Sequence, residues 1–350
     1  MIASVISSLA LAGLAAARVQ YLGVSIAGGD FGCTINGSCP LSSSQLPLGS
    51  GFGGDGEAQM QHFTKDNTMN IFRLPVSWQF LVNNTLGGPL NTANLASYDR
   101  LVQSCLSTGA SCILDIHNYA RWNGGIIGQS PSGPTDADFI SLWTQLATKY
   151  AKSPNLLFEL MNEPHDLSLA VWSTTLQKAI TAIRTAGATQ PILLPGTNFS
   201  SAAQLLPSGS GDALLKLTNP DGSTDNLLVA LHKFLDEDNS GTHSECVTNN
   251  TIAFGEVATF LRNAGRKAIV TETGAAPGNP LCVVYFCEQN AFINSNPDVF
   301  LGLVSWGAGS FNTDYLLSQT PFWEGGRFVD HPLMAQCVVG TWIGSTAGGR

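Results

Sequence analysis

The sequence predicts an α/β fold: a single (β/α)8 TIM barrel with its active site at the C-terminal ends of the strands. Three observations carry that expectation. Short apolar runs alternate with amphipathic segments of helix length, eight such runs occur, and polar or catalytic-type residues close most of them. Alternation of strand and helix implies a parallel sheet with crossover helices, and a count of eight favours a closed barrel over a doubly wound open sheet.

The strand candidates are 21–28, 69–76, 112–118, 155–162, 191–196, 227–234, 267–273 and 300–306. Helical patterns fill 91–108, 136–152, 168–186 and 253–265. Leu142, Trp143, Leu146 and Tyr150, for example, fall on one face at helical spacing. Arg73, His117, Asn118, Asn162, Glu163, His232, Glu272 and Trp306 all end strand candidates. Random placement of polar residues would not mark six strands at the same end.

The 350 residues are 44% hydrophobic and 12% charged, enough apolar surface for a large core. A barrel of this length is one domain, and no repeat or low-complexity linker divides it. The formal charge of −9, with no Lys/Arg run, argues against nucleic acid or an anionic membrane as partner. Residues 1–17, MIASVISSLALAGLAAA, read as a secretory signal peptide ahead of a barrel over 18–350. A membrane anchor would need roughly 18 or more apolar residues, and this run is shorter and broken by serines.

Eight cysteines agree with a secreted, extracellular protein, although on the order of a hundred pairings are open to them. Zinc is the competing reading, and no CxxC or HxxxH cluster supports it. Sequons at Asn36, Asn83, Asn198 and Asn249 fit a glycosylated surface.

The stretch LFELMNEPHD, residues 157–166, runs apolar to Met161 and then turns polar. A carboxylate just past a buried strand is costly to desolvate unless something uses it. Glu163 follows strand four and Glu272 closes strand seven, so a closed barrel lets them face each other across its mouth. Two carboxylates about 5 Å apart suit a retaining glycosidase, one as acid/base and the other as nucleophile. Mutual repulsion raises the pKa of one of them and keeps it protonated.

Arg73, inside FRLPV, needs a buried partner, and a carboxylate at the mouth is the natural one. His117 and His232 end strands three and six and join the site; His62 and His165 do not. Trp143, Trp172 and Trp342 lie in helical patterns and read as core. Trp78, Trp122, Trp306 and Trp323 read as an aromatic rim suited to the C–H faces of sugar rings, with Trp323 equally readable as core. GFGGDG (51–56) matches a dinucleotide fingerprint but follows no strand, and GxSxG, HExxH and EF-hand patterns are missing, so no cofactor or metal is expected.

The stretches AGGDFGC, FRLPVSW, DIHNYARWNGGIIGQ, MNEPHD, TNPDGSTDN, LHKFLDEDNSGTH, TETG and WGAGSF resemble glycoside hydrolase family 5, in particular the secreted fungal endo-β-1,4-glucanases (cellulases). They span about residues 23 to 340. The resemblance implies Glu163 as acid/base, Glu272 as nucleophile, Arg73 holding the nucleophile ionised, and Asn162 on the sugar 2-hydroxyl. It places His117, His232 and Trp306 around the sugar at the cleavage point, with Asn118 and Trp122 as further substrate contacts. It also implies disulfides Cys33–Cys39, Cys105–Cys112, Cys246–Cys282 and Cys287–Cys337.

Relatives end strand six in His-x-Tyr, where the hydroxyl touches the nucleophile; here Phe234 stands in that place. Many carry a cellulose-binding module on a linker, and here the signal leads directly into the barrel. The expected substrate is a β-glucan handled by a monomer. A β-mannanase, a β-1,3-glucanase or a catalytically weak carbohydrate-binding protein on the same scaffold are the alternatives.

Overall fold

The structure, a computed structural model, describes residues 18–49 and 54–344. The signal-peptide segment 1–17 and residues 50–53, which include the first half of the glycine-rich stretch 51–56, lie outside the described residues. Eight parallel strands close into a barrel: β1 (Tyr21–Ala27), β2 (Ile71–Val76), β3 (Ser111–Ile116), β4 (Leu156–Glu159), β5 (Ile192–Pro195), β6 (Leu227–His232), β7 (Ala268–Glu272) and β8 (Phe300–Gly309). Their order round the barrel is 1-8-7-6-5-4-3-2, closed by pairing of β1 with β2. The expected fold class therefore holds. β8 runs three residues beyond its expected end, so Trp306 sits within the strand rather than at its tip.

Crossover helices form the outer ring: α1 (Gly56–Asn67), α2 (Thr92–Ser107), α3 (Asp136–Tyr150), α4 (Leu169–Thr185), α5 (Ser210–Leu215), α6 (Thr251–Asn263) and α7 (Pro280–Asn294). Their starts are chemically specified. Asp55 caps α1 by accepting from the Ala58 N–H, and Thr135 and Asp138 form a reciprocal capping box on α3. Trp143 and Trp172 are core as expected. Their indole N–H groups donate to the carbonyls of Leu160 and Pro195, tying α3 and α4 to the ends of β4 and β5. Trp342 donates to the Val19 carbonyl, and Arg18 stacks over its ring at 3.6 Å.

The barrel interior follows from the two-residue period of a strand. Ile71, Ile113, Leu157, Leu193, Ala230, Ile269 and Val304 form one inward-facing apolar layer. Two residues further along the same strands stand Arg73, Asp115, Glu159, His232, Thr271 and Trp306, all largely buried. The floor of the mouth is thus a polar layer resting on an apolar one. Close approach of β1 to β2 requires Gly23, where a Cβ would meet the Ile71 carbonyl oxygen at 1.7 Å.

Four disulfides join Cys33–Cys39, Cys105–Cys112, Cys246–Cys282 and Cys287–Cys337, the pairs the resemblance implies. Trp323 lies exposed on a hairpin, Phe322–Glu324 with Arg327–Val329. Its ring meets Phe328, which packs on His62 of α1, so it belongs to the outer wall and not to a sugar-binding rim.

His62 clamps that hairpin to α1, with Nδ1 2.7 Å from Asp66 and Nε2 2.9 Å from Asp330. Burial opposes a charge on His62, but the bonds to Asp330 and Asp66 outweigh it and raise its pKa. The clamp's contribution is therefore fully present below the unfolded value of about 6.5 and is lost as pH rises through the higher folded value. His62→Leu should cost about 1–2 kcal/mol of urea-measured stability at about pH 5, and clearly less at about pH 9.

Candidate active site

Arg73 organises the mouth. It is fully buried, and Nε donates to Glu159 Oε2 (2.6 Å) and Nη1 to Glu272 Oε2 (2.7 Å). Nη2 donates to Asn162 Oδ1 (2.7 Å) and lies 2.9 Å from Asp115 Oδ2. The planar fork of the guanidinium lets one cation serve β2, β3, β4 and β7 together. Asn162 keeps its Nδ2 buried and without a protein partner beside Arg73.

A carboxylate oxygen of Glu163 and one of Glu272 come within 4.8 Å of each other, with His232 between them. His232 Nδ1 is 2.8 Å from Glu163 Oε1 and 3.9 Å from Glu272 Oε2. Burial raises Glu272, His232 and Arg73 pull it down, and the charge of Glu163 adds to the rise; it settles at about 7. His232 itself is disfavoured as a cation by burial, yet Glu272, Glu159 and Glu163 raise it to about 10. Glu163 sits just past β4 at φ 44°, a left-handed conformation that is costly for any residue other than glycine.

His117 is anchored through Nδ1 to Asp115 Oδ2 at 2.8 Å. Burial works against its charge, but Asp115 more than offsets this and raises its pKa. Its ring stacks on Trp306 (centroids 5.8 Å, 18°). Trp306 Nε1 donates to the Tyr315 hydroxyl (3.3 Å), and Phe311 stacks on Tyr315 at 4.0 Å. On the other side His117 meets Tyr119 edge-on (5.6 Å), Tyr119 meets His165 (6.2 Å), and His165 stacks on Phe199 (4.5 Å). An aromatic band therefore runs through the loops of several strands. It includes His165, set aside from the sequence, and Tyr119, Phe311 and Tyr315, which no pattern singled out.

Two residues expected at the site or its rim, Asn118 and Trp78, are corrected. Asn118 is fully buried and spends its amide on the fold: Oδ1 accepts from the Trp78 N–H (2.7 Å), and Nδ2 donates to Gln79 Oε1 (2.6 Å). Trp78 is likewise core, at 0% exposure in the one-turn helix Trp78–Leu81. Trp122, at 9% exposure, packs edge-on against Trp78. Phe234 is 3% exposed, with its ring against Gly241 and near Gly274, two residues past Glu272. Asp115, Glu159 and Thr271 were missed; the available signal was a polar residue two positions after an inward apolar one.

Outside the mouth, donor atoms of Asp236, Asp238 and His243 lie within 4.8 Å of one another. Asp236 Oδ2 already accepts from the Thr242 N–H and the Ser240 hydroxyl, so this cluster serves the loop after β6.

A closed barrel whose mouth holds two facing carboxylates, a buried arginine and an aromatic band has the architecture of a barrel glycosidase. Comparison with known proteins makes this specific. The family model Cellulase (glycosyl hydrolase family 5) matches residues 35–310, and the chain belongs to that family. Endoglucanase EG-II of Hypocrea jecorina is 54% identical over 327 residues, covering 91% of this chain and 77% of that one. The manganese dependent endoglucanase Eg5A of Phanerodontia chrysosporium is 41% identical over 320 residues, covering 90% and 78%.

Among solved structures, Cel5A (EG2) from Hypocrea jecorina superposes with a TM-score of 0.89 at 52% identity, over 92% of this chain and 98% of that one. XacCel5A in complex with cellopentaose gives 0.79 at 28% identity, over 92% and 99%.

The assignment of Asn118 to the fold is testable. Asn118→Ala should lower stability by about 1–3 kcal/mol, through the orphaned Trp78 N–H, and leave KM on soluble β-glucan nearly unchanged. A raised KM with unchanged stability would return Asn118 to the substrate.

Proposed function

We propose that the chain hydrolyses internal β-1,4-glucosidic bonds of cellulose and related β-glucans with retention of configuration. Glu272 acts as nucleophile and Glu163 as general acid/base. The observation that carries this reading is the asymmetry of the carboxylate pair. Glu272 Oε2 is fixed by a buried guanidinium at 2.7 Å, whereas Glu163 stands at a loop tip with an imidazole as its close partner.

The separation, within 4.8 Å between carboxylate oxygens, leaves no room for a water between nucleophile and sugar and suits direct attack. Glu272 attacks the anomeric carbon while Glu163 protonates the departing oxygen. Water then cleaves the ester, with Glu163 taking its proton. The free Nδ2 of Asn162 can donate to a hydroxyl next to that carbon, and the Trp306–His117 stack supplies an apolar floor. Glucan is favoured over mannan or β-1,3-glucan because the relatives above are named endoglucanases and one neighbour holds cellopentaose. Four disulfides support an extracellular site of action. Among the described residues no helix is long and apolar enough to cross a membrane.

Proton NMR of the first products should show the β-anomer appearing before mutarotation; an α-anomer first would remove Glu272 as nucleophile. Glu272→Ala should abolish hydrolysis and regain turnover with azide, giving an inverted product. Glu163→Ala should lose least on aryl glycosides with good leaving groups, since these need little acid assistance.

A further inference from the structure

His232 makes a second set of contacts beneath the carboxylate pair. Its Nε2 lies 3.1 Å from Thr271 Oγ1, and the Thr271 hydroxyl donates to Glu159 Oε1 at 2.8 Å. Glu159 Oε2 in turn receives Arg73 Nε at 2.6 Å. All four side chains are buried, so water does not compete for these bonds.

Donor arithmetic fixes the direction of this chain. Glu159 is ionised, since Arg73 and His232 hold its carboxyl well below the usual range against the opposing effect of burial. It can only accept, so it takes the single proton of the Thr271 hydroxyl. The Thr271 oxygen is then left as an acceptor, and Nε2 of His232 must carry a hydrogen. A direct bond from Nε2 to Glu159 is excluded by the 3.6 Å separation. The remaining nitrogen, Nδ1, faces Glu163 Oε1 at 2.8 Å, and one proton lies between them.

We propose that Thr271 and Glu159 are positioning residues that lock His232 with its hydrogen on Nε2, so that Nδ1 and Glu163 hold a single shared proton for the leaving group. This rests on the reading of Glu163 as acid/base. In the first step that proton passes from Glu163 to the glycosidic oxygen as the C1–O bond breaks and the bond from Glu272 to C1 forms. Any share held on Nδ1 moves to Glu163 as it leaves. The Glu163 carboxylate then faces the lone pair of a neutral Nδ1, which strengthens it as a base. In the second step it recovers a proton from the water whose oxygen bonds to C1 as the ester to Glu272 breaks. Without the lock, the imidazole can place its hydrogen on Nδ1, donate to an ionised Glu163, and weaken the acid.

The test is Thr271→Val, which keeps the shape and removes the hydroxyl. Its kcat/KM should fall at least tenfold on cello-oligosaccharides, whose sugar leaving groups need a proton. It should stay within about threefold of wild type on dinitrophenyl β-cellobioside, which does not. The alkaline limb of the kcat/KM profile should move to lower pH, and Thr271→Ser should restore both. Should the valine variant not fold, Thr271→Ala gives the same comparison. Equal losses on the two substrates, or no loss on either, would overturn the relay. The parent reading fails separately: if Glu163→Ala shows no dependence on leaving group, Glu163 is not the acid, whatever Thr271 does.

Discussion

One buried cation holds the site together. Arg73 has no solvent exposure and spreads its donors over Glu159, Glu272, Asn162 and Asp115, residues of three different strands and one strand-following loop. Burying a guanidinium with three carboxylates is not an efficient way to stabilise a barrel; apolar residues of similar volume often do as well or better. Once present, though, the group cannot be dismantled piecemeal, because each missing partner leaves a charge without water or counter-ion. The arrangement makes physical sense as a device that fixes the positions and charges of carboxylates at the mouth.

From that constraint the two glutamates become different. Glu272 lies at the end of β7, pinned across the barrel to Arg73, so its oxygen is aimed and cannot rotate away without breaking an ion pair. Glu163 is not bonded to Arg73; a left-handed backbone turns it toward His232, whose Nδ1 at 2.8 Å shares its proton. The same residue type thus acquires an electrostatic role in one place and a proton-transfer role in the other, with His232 connected to Arg73 through Thr271 and Glu159.

Much of the fold was legible because eight apolar runs, each bounded by helical patterns, leave few alternatives to a closed parallel barrel. The residues at strand tips were legible for the same reason. A polar residue at a tip, however, reads alike whether it faces substrate or ties loops together. Asn118 and Asn162 look equivalent in sequence, yet one caps Trp78 and the other keeps a free amide beside Arg73.

Asp115 and Glu159 were hidden inside strand candidates whose apolar neighbours dominated the reading, although the period of two places them above Ile113 and Leu157. Tyr119, Phe311 and Tyr315 come from loops, where no periodicity exists to mark them. The disulfide pairing came from family resemblance, since cysteine spacing alone left many connectivities open.

The central claim is that Arg73, together with His232, pulls the pKa of Glu272 down against burial, so that it settles at about 7 and not higher. The most direct measurement is the acidic limb of the kcat/KM profile in Arg73→Lys, with near-UV circular dichroism confirming the fold. A lysine keeps the charge but cannot span Glu159, Glu272 and Asn162 at once, so less of it reaches Glu272. The nucleophile should then hold its proton to higher pH, and the limb should move alkaline. A limb that stays in place or moves to lower pH would contradict the account.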